Sequence, residues 1–367
     1  MCIRDRYILH MPRTLKKKKL QPRKTKKRSK SKSKSRSKSI SIEKQGSYSP
    51  TVNRNLGTIN YDTPVKDIQM KYRMIKAGRK MYHWTNKPLH KILIKNMLSK
   101  KKINHKNVIG PKQLQANCWF NCFFIMFFIS DKGRKFSKAL RKLMITGKRM
   151  NGKDIPIKMK WPMFLLNLFI DVSLTGEKNM YSSETRNLNT NRLIKSIHKI
   201  LRSDGHYAPA VEDAGNPLSY YKSITNYLYN YNKQDLSVIS FIIAKNPFAA
   251  NFPSFLFHME NPPHIIMAEI YRDDAPDIKK PLSFMVGKYK YKLDSVGLID
   301  NKGDHFSAYL NLNKKQYYFD GESNSPLVPF QWKPKLNKNV NWNTSNFKQT
   351  VFNFKVGYGC YIYYREK

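Results

Sequence analysis

Acidic residues and cysteines are what this 367-residue sequence has least of: 24 Asp and Glu face 69 Lys and Arg, and there are four Cys. Cys2, Cys118, Cys122 and Cys360 are too few and too scattered for a disulfide framework, which points to a reducing compartment. No C-x-x-C pair exists, so no zinc knuckle is encoded, and neither a metal nor an organic cofactor is implied. Long apolar runs are missing too. The two best, Cys118–Ile129 and Trp161–Ile170, carry Asn121 and Asn167 and fall short of the roughly 20 residues a bilayer requires. No membrane helix is therefore expected. The opening MCIRDRYILH lacks the apolar centre of a signal peptide, and Met11 is the expected start. No internal repeat is visible.

What is abundant is positive charge, unevenly spread. Residues 1–47 hold 18 basic against two acidic groups, and the remaining chain holds 51 against 22, so the body is basic in its own right. Residues 1–47, with the run KKKKLQPRKTKKRSKSKSKSRSKSISI, have almost nothing to bury and are expected to be a disordered tail. Nuclear targeting or nonspecific nucleic-acid contact fits such a tail, and so does plain solubilisation. The expected location is intracellular, in the nucleus or cytoplasm of a eukaryotic cell. The Lys, Asn, Ile and Tyr bias is that of AT-rich coding, as in many large DNA viruses of eukaryotes and some protists.

With 40% hydrophobic residues the chain can still bury one sizeable core. Residues 48–106 read as a linker with accessory helices at 65–80 and 89–98, and 107–367 as the main domain. Helical spacing recurs over 117–130, 135–143, 163–171, 191–202 and 217–229. From Leu236 onward the pattern changes to short β-branched and aromatic runs: VISFII, HIIMAEIY, YKLDSVGLI, HFSAYLNL, QYYFDG and YGCYIYY. Helices first and antiparallel strands second give an α+β fold. The 22 Tyr and 20 Phe fall mostly on those periods, so they are read as core rather than as base-stacking platforms.

One constellation carries chemistry. HFSAYLNL and QYYFDG read as a β-hairpin turning near Asn313–Lys315, which brings His305 and Asp320 to one end of the sheet. Asp304 and Glu322 are the other carboxylates within reach, although Asp304 adjoins His305 on its own strand and points the other way. In the first half, QLQANCWFNCFF starts its greasiest helix with a thiol, Cys118, preceded by the amides of Gln113, Gln115 and Asn117. A helix N-terminus and a nearby imidazolium both favour thiolate, and a side-chain amide can receive the negative oxygen of an acyl-transfer transition state. Gln113 is the first choice for that donor. A buried packing thiol is the competing reading of Cys118, and packing is the preferred reading of Cys122. His206, in DGHY, lacks a strand and a facing acid. His258 and His264 flank FHMENPPH without further metal ligands.

QLQANCWFNC resembles the cysteine box of the ubiquitin-specific proteases, N-x-G-x-T-C-[YF]-[ML]-N-S, with Cys118 on the nucleophile and Asn121 on the Asn three residues later. GDHFSAY and QYYFDG are similar to the family's histidine box and W-Y-x-F-D-D element, which puts His305 on the general base and Asp320 on its orienting acid. VEDAGNPLSYYKSITNYL is similar to the Q-x-D-A-x-E-F-L helix through Asp213 and Ala214, and VGYGCYIYYREK to the closing strand. Gln113 stands where the family has an oxyanion Asn, Asn216 and Pro217 replace its Glu, and the zinc-bearing fingers are absent.

The resemblance implies a papain-like α+β cysteine protease in reduced form. It would hydrolyse the bond after the terminal Gly of ubiquitin or a ubiquitin-like modifier, so its partners would be modifier conjugates. Two other readings compete: a noncatalytic basic protein that binds nucleic acid or virion components on a protease scaffold, and a protease that processes one precursor site.

Overall fold

The computed structural model describes residues 73–99, 102–177, 181–182, 185, 188–229, 240–248, 261–322, 327–344 and 350–366, all within one compact unit. The basic segment 1–47, residues 48–72 and His258 lie outside them.

The helix expected over 65–80 falls partly outside the described residues, and its second half is a hairpin instead. Strands β1 (Met74–Ala77) and β2 (Lys80–His83) pair antiparallel around Gly78, whose φ of 64° supplies the left-handed turn. Ile75 and Ala77 are buried and Lys76 is exposed, a period of two that a helical count obscures. Helix α1 (Lys87–Leu98) follows, with Pro at its first turn and Leu89, Leu93 and Met97 buried at spacings of four.

The apolar run becomes α2 (Cys118–Phe124), which widens into a π-helical turn over Ile125–Ile129. All twelve residues from Cys118 to Ile129 are buried, because this helix lies between the helix Pro217–Tyr229 and the strand Phe306–Leu312. Ser130 closes it and caps the next helix: its Oγ donates to the Met126 carbonyl and accepts from Gly133 N. The expected helix over 135–143 is two, α3 (Asp131–Phe136) and α4 (Lys138–Thr146).

Helix α5 (Ile157–Thr175) is longer than the expected 163–171, since Pro162 sits inside it rather than at its start. Helices α6 (Asn191–Ser203) and α7 (Pro217–Tyr229) fall where the spacing put them. Asn216 caps α7, its Oδ1 accepting from Leu218 N and Ser219 N.

The second half builds an eight-stranded sheet from β3 (Phe241–Lys245), β4 (Ile265–Ile270), β5 (Ser283–Val286), β6 (Tyr289–Ile299), β7 (Phe306–Leu312), β8 (Lys315–Phe319), β9 (Val328–Pro329) and β12 (Gly359–Arg365). Its order is β3-β4-β12-β6-β7-β8-β9, with β5 also on β6. The short strands β10 (Trp342–Asn343) and β11 (Val351–Phe352) pair separately.

The fold is α+β as expected, but the sheet is mixed rather than wholly antiparallel, because β3 runs parallel to β4. A parallel neighbour needs a connection of about a dozen residues or more, and 19 residues separate Lys245 from Ile265 in the sequence. One sheet face carries an aromatic core that includes Tyr291, Tyr309, Trp332, Phe354, Tyr361 and Tyr363. Among the described residues no helix is long and apolar enough to cross a membrane.

Candidate active site

Strands β7 and β8 turn over two residues, Asn313 (φ 50°) and Lys314 (φ 64°), the pair of left-handed conformations that a type I′ hairpin requires. The carboxylate of Asp131, at the start of α3, accepts from the backbone N–H groups of Asn313 and Lys314 at 2.9 Å each, so a helix end fixes this turn. The register pairs Ala308 with Phe319. Continued outward, it sets 307 opposite 320 and 305 opposite 322, which puts His305, Asp320 and Glu322 on one face.

There His305 Nε2 donates to Asp320 Oδ1 at 2.9 Å. Asp320 Oδ2 accepts from Thr344 Oγ1 at 2.5 Å, and Oδ1 also accepts from Glu322 N at 3.0 Å. Both side chains are buried, His305 at 5% and Asp320 at 1% exposure. Behind the imidazole, Asp300 Oδ1 accepts from the N–H groups of Gly303, Asp304 and His305 at 2.8–3.1 Å and sets the entry into β7. Burial alone pushes His305 down, but the hydrogen bond and charge of Asp320, then Glu322 and Asp300, outweigh it and hold the imidazole above its ordinary value. Burial pushes Asp320 up, and the hydrogen bond and charge of His305 with the Thr344 hydroxyl outweigh that, so its carboxyl sits below the usual range.

Cys118 is the first residue of α2 and is 2% exposed. The approach to it runs along the corner after β8: Gln113 N donates to Gly321 O at 3.2 Å. A Cβ on Gly321 would lie 2.3 Å from Asn121 Nδ2 and 3.2 Å from Gln113 Cβ. Glycine is therefore required where the Asp320–Glu322 corner meets the first turn of α2. This close approach brings the elements bearing Cys118, Gln113, His305 and Asp320 to one place.

The three amides before Cys118 differ in their engagement. Gln115 is tied at the surface, donating to Glu212 at 3.1 Å and accepting from Asn191 at 2.9 Å. Asn117 is fully buried and donates to the Lys112 carbonyl at 3.2 Å and Thr190 Oγ1 at 3.5 Å. Gln113 Nε2 donates to Glu322 at 3.3 Å, and its Oε1 is buried without a hydrogen bond. Asn121 Oδ1 and Nδ2 and His305 Nδ1 are likewise buried without one. Among the described residues, four of the twelve such atoms belong to three residues of this corner. Native interiors leave few buried polar atoms unsatisfied, so each atom of this group calls for an explanation.

The remaining candidates take other places. Burial, then the charges of Cys360 and Asp320, raise the Cys122 thiol well above its ordinary value, as suits a packing residue over Gly297. Asp304 engages Asp300 through its backbone N–H. His206 stacks edge-on to Tyr227, and His264 Nδ1 meets Ser240. Asp213 Oδ2 accepts from Ala210 N in a turn before α7. Ligand atoms of His305, Asp320 and Glu322 lie within 4.8 Å of one another, close enough for a divalent cation. Both Asp320 oxygens are already engaged by hydrogen bonds, so the group fits an oriented imidazole better than an ion cage.

The sequence matched Asn121 to the cysteine box but did not point to Thr344 or Asp300. Thr344 and Asp300 stand in segments without a repeating pattern, whereas Asn121 signals itself as the lone amide inside an apolar run.

No family model and no curated protein matches the chain. Among solved structures, the SAGA DUB module of Ubp8, Sgf11, Sus1 and Sgf73 bound to monoubiquitin is similar at 9% identity and a TM-score of 0.44, over 72% of this chain and 70% of that one. The same module bound to ubiquitin aldehyde gives 10% identity and a TM-score of 0.44 over 73% and 71%. An essential yeast splicing factor gives 9% identity and a TM-score of 0.40 over 83% and 75%.

Proposed function

We propose that the chain is a thiol-dependent hydrolase that cleaves the bond after the C-terminal Gly of ubiquitin or a ubiquitin-like modifier. The observation that supports this reading is the buried His305–Asp320 pair, held by a 2.9 Å hydrogen bond at a corner whose Gly321 packs against Gln113 and Asn121, one turn after Cys118. In the reaction, His305 Nδ1 takes the proton of Cys118, and the thiolate adds to the acyl carbon. The carbonyl oxygen becomes an oxyanion, held by Gln113 and the Cys118 N–H. His305 then gives its proton to the leaving amine, a thioester remains, and His305 activates the water that releases a carboxylate. Asp320 stays ionised and holds Nε2–H, which leaves Nδ1 as the basic nitrogen. Thr344 and the Glu322 N–H hold Asp320. The substrate class follows from the resemblance in the cysteine and histidine boxes.

The test is an intact-mass assay of full-length protein incubated with ubiquitin bearing a thiol-reactive C-terminus. One adduct is expected, retained in Cys122→Ala and lost in Cys118→Ala. Folded protein that forms no adduct with any C-terminally activated modifier overturns the reading.

A further inference from the structure

The resting site contains an occupant of its own. A single oxygen, Glu322 Oε1, accepts from Gln113 Nε2 at 3.3 Å and lies 3.6 Å from His305 Nδ1. One negative oxygen between an amide donor and an imidazole is the setting that an acyl oxyanion or a carboxylate needs. The backbone determines where this side chain starts, through Glu322 N to Asp320 Oδ1 and Gln113 N to Gly321 O. The side chain itself is 33% exposed, whereas the imidazole it faces is 6% exposed and its Nδ1 is buried without a hydrogen bond.

We infer that Gln113 and His305 form a carboxylate-binding site that Glu322 closes in the resting protein, to be displaced by the acyl oxygen of an entering substrate or the C-terminal carboxylate of a released product. The inference rests on the reading of this corner as a thiol acyl-transfer site. A bound product carboxylate and Glu322 then compete for the same two groups, so the chain carries an internal competitor of its own product.

The test needs no modifier, so it stands apart from the adduct assay. Full-length protein carrying 13C-labelled histidine is titrated by NMR at constant ionic strength, with sodium formate or sodium chloride, and the His305 signals are assigned with His305→Gln. The charged groups facing that ring are Asp320 on the Nε2 side, Glu322 on the Nδ1 side and Asp300 behind its backbone. In Glu322→Ala the His305 titration is expected to fall by about one pH unit, and formate, not chloride, to restore it. In wild type and in Glu322→Gln, where the site stays filled, formate is expected to change nothing. An unchanged titration in Glu322→Ala overturns the inference, as does a lowered one that formate leaves in place. Formate moving wild-type His305 as far as it moves the variant overturns it without any substitution.

Discussion

Two buried polar clusters invite comparison. Between α4 and α5, Arg141 pairs with Asp171, its Nε donates to Asn167 Oδ1 at 2.8 Å, and the second Asp171 oxygen accepts from Tyr181 at 2.9 Å. Apart from Asn167 Nδ2, every one of these polar atoms that is fully buried has a partner. At the start of α2 the balance is reversed: Gln113, Asn121 and His305 keep buried atoms without hydrogen bonds beside a thiol and an oriented imidazole. The first cluster has the economy of a structural cross-brace. The second leaves buried polar atoms without the partners that the brace supplies, which is the contrast expected if the proposed site meets a ligand there.

Substitutions should separate the two clusters cleanly. The largest effect expected is from Cys118→Ala, which should lower turnover of a modifier conjugate by at least about 10⁴-fold with little change in thermal unfolding. Cys122→Ala, one helical turn on, should keep turnover and lose on the order of 1 kcal/mol of stability from packing. Turnover surviving in Cys118→Ala removes the distinction between the clusters altogether.

In the brace, Asp171→Ala strands a buried guanidinium. It should destabilise the fold by about 3–5 kcal/mol in chemical denaturation, while Cys118 labelling of the folded fraction is unchanged. A loss under about 1 kcal/mol means that Arg141 finds water or another acceptor, and the cluster is not a brace. Gln113→Ala sharpens the other side of the comparison. Turnover is expected to fall about a hundredfold, mainly in kcat, because the amide meets the oxyanion more strongly than the ground-state carbonyl. Equal losses in Gln115→Ala and Asn117→Ala would reassign the donor, although both of those amides are already bound to Glu212, Asn191, Lys112 and Thr190.

Much of this site is legible in the sequence because its parts sit in strongly patterned segments. Alternation in HFSAYLNL and QYYFDG fixes which face His305 and Asp320 share, and Asn313–Lys314 marks the turn. Cys118 stands at the junction of an amide-rich approach and an unbroken apolar run. What could not be read came through long-range contacts or a competing period. Thr344 reaches Asp320 across 24 residues, Asp131 pins a turn 182 residues away, and β3 pairs in parallel with β4, a direction that strand periodicity does not encode. The β1–β2 hairpin was hidden by apolar spacing that suits a helix until Gly78 is recognised as a turn at positive φ. Glu322 was visible only as a spare acid, since the sequence alone cannot show that its oxygen reaches the imidazole and the Gln113 amide.

The smallest effect concerns how the His305–Asp320 pair contributes to stability as well as chemistry. His305 is raised in the fold, so its contribution is fully present below the unfolded value of 6.5 and disappears as pH rises through the folded value. Asp320 is lowered, so its contribution is present above the unfolded value of 3.8 and is lost as pH falls through the folded one. The two windows overlap between 3.8 and 6.5, where the charged pair is complete in the fold and its partners titrate separately in the unfolded chain. Asp320→Asn should therefore cost most within that window, on the order of 1 kcal/mol relative to its cost near pH 9, read from urea unfolding at several pH values. A flat profile for Asp320→Asn means that the imidazole is neutral throughout that window, and Asp320 then orients the ring by its hydrogen bond without a charge pair.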